Sequence, residues 1–247
     1  MKRRQMQTCM SVLTANADRA SRSSLASKAY LLIRERILRG KLRPGEVVSR
    51  RQLAEEFGIS LLPVAEALKR LESDLLVESR PRAGTRVRIP APEEVRGRCI
   101  VREALEAQSA RLCCARITMK ERLDLLRMAE QLDTLYLRFQ HDDDPELQFV
   151  VHTQHFELHM RIAEYARCPE LKQAIEMNNV LVHNWFFDIA AERRALPPGF
   201  HSQLARAVTG NDPLAADEAM RSHVQYGVDE TLQKMVPSAK NDWRLRH

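Results

Sequence analysis

The sequence predicts a mainly α protein in two parts, a winged helix-turn-helix at the front and an all-α antiparallel helical bundle behind it. Three observations carry that expectation. Apolar residues recur at helical spacing through most of the 247 residues. Strand-like runs occur as one pair, at residues 75–79 and 85–89, around a turn containing Pro81 and Gly84. The charge is lopsided: Lys and Arg counted against Asp and Glu give +4 over residues 1–22, +6 over 23–90 and −4 over 91–247. A basic front suits a polyanion, and a roughly balanced remainder suits a separate task.

Residues 1–22 are basic and polar without periodicity, and are expected to form a flexible tail. Residues 26–39 carry Tyr30, Ile33, Ile37 and Leu38 at helical spacing, and Gly40 supplies a stop. Pro44 and Gly45 then make a turn. Ser49 is placed to cap a short helix through Leu53, Ala54 and Phe57, which Gly58 ends before Ser60 caps the next. That helix, residues 61–73, turns Val64, Ala67, Leu68 and Leu71 inward. Helix, helix, helix and hairpin make a winged helix-turn-helix over residues 23–90.

Pro90 and Pro92 interrupt the pattern, which puts a linker at residues 91–94. Helices are expected at about 93–117, 120–140, 144–166, 169–191, 199–209 and 213–235, in a domain spanning residues 95–236 with a tail at 237–247. No apolar run reaches the length of a membrane span and the N-terminus has no apolar signal core, so a cytoplasmic protein without a membrane partner is expected. Five cysteines, an odd number without a C-x-x-C pair, argue for reduced thiols rather than a disulfide framework. Aromatic residues, at 5%, are too sparse to stack a single-stranded nucleic acid.

Residues 30–88 resemble the DNA-binding domain of the GntR superfamily. The resemblance rests on the stretches from Ile37 to Gly45 (ILRGKLRPG), Gln52 to Ser60 (QLAEEFGIS), Pro63 to Leu71 (PVAEALKRL) and Arg82 to Val87 (RAGTRV). Residues 95–230 resemble the helical ligand-binding (FCD) domain of the FadR-like branch. There the matching stretches are Arg102 to Glu106 (REALE), Leu158 to Ile162 (LHMRI), Phe200 to Leu204 (FHSQL) and Ala219 to His223 (AMRSH). The resemblance implies a transcriptional regulator and no enzyme, binding duplex DNA at a palindromic operator as a homodimer. The base-reading surface it implies carries Ser60, Leu61, Leu62, Ala65 and Glu66, with Arg50, Arg51, Lys69 and Arg70 nearby. Many family members carry arginine at the positions of Leu61 and Ala65, so guanine-reading forks are absent here, while leucine can contact a thymine methyl. In the wing, Arg82 is the preferred contact, with Gly84 at the tip and Arg86 beside it.

His155 and His159 are four residues apart, so on a helix their imidazoles share a face and can share a metal ion. The resemblance matches His159, His201 and His223 to three ligating histidines and puts His155 where an aspartate usually stands. Whether His155 ligates stays open. Imidazole in place of carboxylate favours zinc or nickel over calcium or magnesium. The resemblance also implies a small organic acid effector, with Arg102 and Asn178 as candidate contacts and Asn179 and Trp185 bordering the cavity. Arg102 fits equally as an ion-pair partner of Glu106, its i+4 neighbour. Two other readings remain: a purely structural metal without an organic effector, and a histidine-site metal hydrolase. Against the hydrolase, no H-E-x-x-H spacing supplies a general base.

Overall fold

The computed structural model describes residues 24–140, 144–178, 196–226, 228–229 and 232. The chain divides between Arg88 and Ile89 into two compact units.

The first unit opens with α1, helical over residues 24–38. It continues through β1 (Val47–Val48), α2 (Arg50–Phe57), α3 (Leu61–Ser73), β2 (Val77–Arg80) and β3 (Gly84–Val87). The strands form an antiparallel sheet in the order β1-β3-β2, with Val48 opposite Thr85 and Val77 opposite Val87. Ile33, Val64, Ala67, Leu71, Leu76 and Val87 are buried, so helices and sheet share one core. Local chemistry sets the helix-turn-helix. The Ser49 side chain accepts from the Gln52 N–H, and Gly58 closes α2 at φ +63, a conformation that costs a residue with a Cβ about 1 kcal/mol. Long side chains then tie α1 down. Arg36 makes two bonds to Glu56, at 2.5 and 2.7 Å, and lies 4.9 Å over the Phe57 ring. Tyr30 donates to Asp74 at 2.6 Å.

The short strand β1 lies outside the sequence expectation; two residues are too few for a periodic signal. β2 begins at Val77 rather than Leu75, because Leu75 takes φ +61 and the Leu76 N–H returns to the Leu71 carbonyl, still finishing α3. β3 ends at Val87 rather than Ile89.

The second unit contains α4 (Pro92–Arg116), α5 (Met119–Phe139) and α6 (Pro145–Tyr165). Then come α7, helical over residues 169–178, α8 (Phe200–Val208) and α9 (Pro213–Gln225). Residues 92–94, expected in the linker, are the first turn of α4: proline has no N–H to leave unpaired there and its φ is already helical. Pro145 and Pro213 open α6 and α9 in the same way, and Thr118 and Glu121 form a reciprocal capping box on α5. Helix α4 packs on α9 and α6, and α5 on α6 and α8. Buried Ala110, Ala129, Ala205 and Ala216 sit in one core with Leu125, Leu132, Leu158, Ile162 and Met220. The small residues let the helices approach and the large ones fill between them. The expected tails, and Asn179 and Trp185, lie outside the described residues.

Burial, and then the bond to Asp74, push the Tyr30 hydroxyl up to about 12. A raised folded value contributes stability that is complete below the free-tyrosine value near 10 and disappears as the pH climbs toward 12. Denaturant titrations at pH 9 and 12 should therefore show the first unit losing stability across that interval. Tyr30→Phe should be less stable at pH 9 and lose less on alkalinisation.

Candidate nucleic-acid interface and metal centre

Helix α3 buries Val64, Ala67, Leu68 and Leu71, and that stripe fixes what it presents outward. At its start Leu61 is 56% exposed and Leu62 49%, with Ala65 half-buried and Glu66 and Lys69 exposed. Ser60 stands at the N-cap without a side-chain capping bond. Arg50 and Arg51 are exposed at the start of α2, Arg51 reaching Glu55 at 3.2 Å. Arg70 is placed differently from the sequence expectation. Its guanidinium lies 4.3 Å over the Tyr30 ring and donates to Ser27 at 3.1 Å, so it braces α3 against α1.

In the wing, residues 81–83 form an exposed turn in which Arg82 takes φ +64, and Gly84 follows at φ +80. A side chain presented at a tight tip suits approach to a groove. Arg86 also departs from expectation: it is half-buried on the central strand and donates to the Gly45 carbonyl at 3.0 Å, pinning β3 to the turn before β1.

The second unit gathers four histidines. His155 and His159 come from α6, His201 from the first turn of α8 and His223 from α9. The Nε2 atoms of His155, His159 and His223 form a triangle with edges of 3.0, 3.1 and 3.1 Å. The His201 ring lies 5.0 Å from that of His155 and 5.5 Å from that of His223. Two carboxylates that sequence reasoning did not assign to the site orient the imidazoles. Glu106 on α4 meets His159 Nδ1 at 2.5 Å, and Asp133 on α5 meets His201 Nδ1 at 2.8 Å. A ring that donates from Nδ1 to a carboxylate keeps its Nε2 lone pair for a metal. His201 is fully buried, and its Nε2 has no hydrogen-bond partner among the described residues. Tyr136 stacks on His201 at 4.8 Å and Phe200 on His223 at 4.4 Å, fixing the ring planes.

Electrostatics favour the neutral form at three of the four histidines. Burial, and then the neighbouring imidazoles, hold His155 and His223 well below the ordinary histidine range. Burial also lowers His201, against the pull of Asp133. Burial alone would raise the Glu106 carboxyl, but Arg102 and His159 outweigh it and hold it far below the usual range. Asp133 sits at about 2, its burial overcome by bonds from His201 and Ser202. Converging lone pairs repel, and one cation between them removes that repulsion. Two nitrogens each about 2.1 Å from one ion lie roughly 3.0–3.4 Å apart in octahedral or tetrahedral coordination, which matches the triangle.

The effector candidates are placed as well. Arg102 is buried and donates from Nε to Glu106 at 2.9 Å, so the ion pair is formed. Asn178 donates to the Arg98 carbonyl at 3.2 Å, joining α7 to α4. His152 is buried, its ring edge against Phe139 and its pKa lowered by burial to about 4. An acid recurring on a buried stripe was the readable signal for Asp133, which follows Leu125, Ala129 and Leu132 on α5.

Residues 25–87 match the family described as bacterial regulatory proteins, gntR family, and residues 99–226 match the FCD domain. The chain is a GntR-family transcriptional regulator with an FCD domain. The HTH-type transcriptional repressor RspR of Escherichia coli is 25% identical to this regulator over 217 residues, 87% of this chain and 91% of the relative. Among solved structures, a GntR regulator from Rhodococcus sp. RHA1 superposes with a TM-score of 0.70 at 19% identity, covering 85% of this chain and 98% of its own. Escherichia coli McbR/YncC gives 0.67 at 20%, with the same coverage. At such identities the structures establish the fold of the regulator. Among its described residues no helix is long and apolar enough to cross a membrane.

Two wing arginines should separate cleanly in this GntR regulator. Arg82→Ala should weaken binding to every duplex alike and flatten the slope of log affinity against log salt by roughly 0.9, the release of one phosphate's counterions. Arg86→Ala should instead lower the thermal stability of the first unit. Fluorescence anisotropy at several salt concentrations and thermal unfolding measure the two effects.

Proposed function

We propose that this regulator binds a palindromic duplex operator as a homodimer in the cytoplasm, and that a small carboxylate-bearing effector at a zinc or nickel ion tunes its affinity. His155, His159, His201 and His223 would hold the ion. The supporting observation is the convergence of three Nε2 atoms within 3.1 Å, beside the buried Nε2 of His201, which has no partner among the described residues. Imidazole nitrogens are borderline donors, and a set of four suits zinc or nickel.

When bound, the ion supplies a Lewis-acidic position for a carboxylate oxygen. The chain's own residues do the rest. Glu106 and Asp133 hold protons at His159 Nδ1 and His201 Nδ1, and Arg102 balances the charge of Glu106. Arg102, bonded to Glu106 through Nε, would offer its remaining guanidinium N–H groups to the effector carboxylate. Asn178, bonded to α4 main chain, supports the same helix. His155 is half-buried while the other three are buried, so an effector would approach from its side. Effector binding changes operator affinity only by its differential affinity for the two states of the protein. Paired helix-turn-helix heads read half-sites related by the protein's own two-fold, hence the palindrome.

A second reading, a structural ion with no organic effector, is favoured by the ion pair that buried Arg102 already makes with Glu106. The decisive experiment combines metal analysis of the purified protein with mobility shifts, using a panel of small mono- and dicarboxylic acids with and without zinc. A specific shift relieved by one acid only in the metal-loaded protein supports effector control. A metal that raises the melting temperature, with no acid altering the shift, establishes the structural ion instead. In addition, Glu106→Gln should weaken zinc affinity by roughly 10- to 100-fold in a competition titration, the usual cost of losing an orienting carboxylate. Unchanged affinity would remove Glu106 from the site.

A further inference from the structure

We infer that Leu61 and Leu62 read the C5 methyl groups of two thymines in the major groove, which makes methyl-bearing A·T pairs the specificity determinant of this operator. The inference rests on the regulator reading above and adds the chemistry of its recognition surface.

Leucines with this much exposure are not core residues. Leu61 is 56% and Leu62 49% exposed on a helix whose inward stripe leaves Val64, Ala67 and Leu71 fully buried. An adjacent apolar pair is costly in water unless a partner covers it. Its place argues for what that partner is. The pair occupies the first turn of the second helix of the helix-turn-helix, the segment that enters the major groove. The same helix-turn-helix carries exposed Arg50 and Arg51 on α2 and exposed Lys69 on α3, cations suited to a phosphate backbone rather than to an apolar protein face.

The groove offers few apolar groups, and the thymine methyl is the one displayed on a base edge there. Consecutive helical residues project about 100° apart, so the two leucines meet two separate methyls rather than sharing one. Ala65, one turn further, is too short to shield the pair from the base edges. Glu66 is exposed beside it and can accept from a cytosine N4 amino group, adding one polar contact next to the methyl pair. No guanidinium stands in the first turn of α3 to make the bidentate contact to guanine.

Selection from random sequence makes the test independent of which operator the protein recognises. Full-length protein selects duplexes from a random-sequence library, and the selected half-site is resynthesised with deoxyuridine at each thymine in turn. Deoxyuridine keeps base pairing and removes only the methyl. At two positions per half-site this should weaken binding by roughly three- to five-fold per methyl, the loss expected for one buried methyl group. The double variant Leu61→Ala, Leu62→Ala should bind the thymine and uracil duplexes equally, which assigns the loss to this pair. Both residues are exposed, so the variant should melt with the parent protein.

Selection of a specific sequence that is indifferent to uracil, or a uracil penalty that survives in the double variant, overturns the inference and leaves the regulator reading standing. Selection of no sequence at any salt concentration overturns both.

Discussion

Glu106 has both carboxylate oxygens engaged inside the helical unit, Oε1 by the Arg102 guanidinium and Oε2 by His159 Nδ1. A buried charge with one partner removed typically costs about 3–5 kcal/mol, so the carboxylate holds its neighbours as much as they hold it. Arg102 stands one turn before Glu106 on α4, and His159 reaches in from α6. The positions of α4 and α6 therefore become a single electrostatic constraint. His159 in turn fixes where His155 and His223 can place their Nε2 atoms. Asp133 plays the equivalent part for α5 and α8, taking main-chain and side-chain bonds from both His201 and Ser202 at the start of α8.

The helices of the second unit thus meet at a polar centre that a core of alanines and leucines alone would not specify. Apolar packing sets how closely they approach, while the two carboxylates decide which imidazole nitrogen faces inward. Without an ion, converging lone pairs and the Nε2 of His201, which has no partner among the described residues, are a standing cost in a desolvated site. That cost is borne by a helix bundle whose remaining contacts are favourable, and metal affinity is the return of the same free energy.

Much of the first unit was legible because its signals are local. Ser49, Gly58 and Ser60 punctuate α2 and α3 within a few residues of where they act, and the spacing of Val64, Ala67, Leu68 and Leu71 alone fixes the outward face of α3. Arg70 and Arg86 could not be read that way. One is taken by Tyr30 and Ser27, at least 40 residues earlier, and the other by the Gly45 carbonyl, 41 residues away. A basic residue near an interface looks the same in sequence whether it faces phosphate or braces the fold. The histidines of the second unit are visible as a pattern, but of their orienting acids only Asp133 carries a readable signal, as an acid on the buried stripe of α5. Glu106 looked only like an i+4 partner of Arg102, and its bond to His159 spans 53 residues.

At the positions that set specificity, the framework and the contacts separate. The carboxylates, the caps and the buried stripe are what any ligand of these sites would need. By resemblance, family members commonly carry an acid at 155 and arginines at 61 and 65, where this chain has His155, Leu61 and Ala65. Each exchange replaces a charged group by a neutral one without disturbing the scaffold, since Leu61 and Ala65 point away from the core and His155 still places a nitrogen in the triangle. On the proposed reading, an uncharged donor at 155 would leave more of a divalent ion's charge to be met by an effector, and an apolar first turn would leave discrimination to base methyls rather than to guanine acceptors. The three exchanges would move selectivity from charge to shape and ligand softness, leaving affinity for DNA as a polyanion to Arg50, Arg51 and the wing.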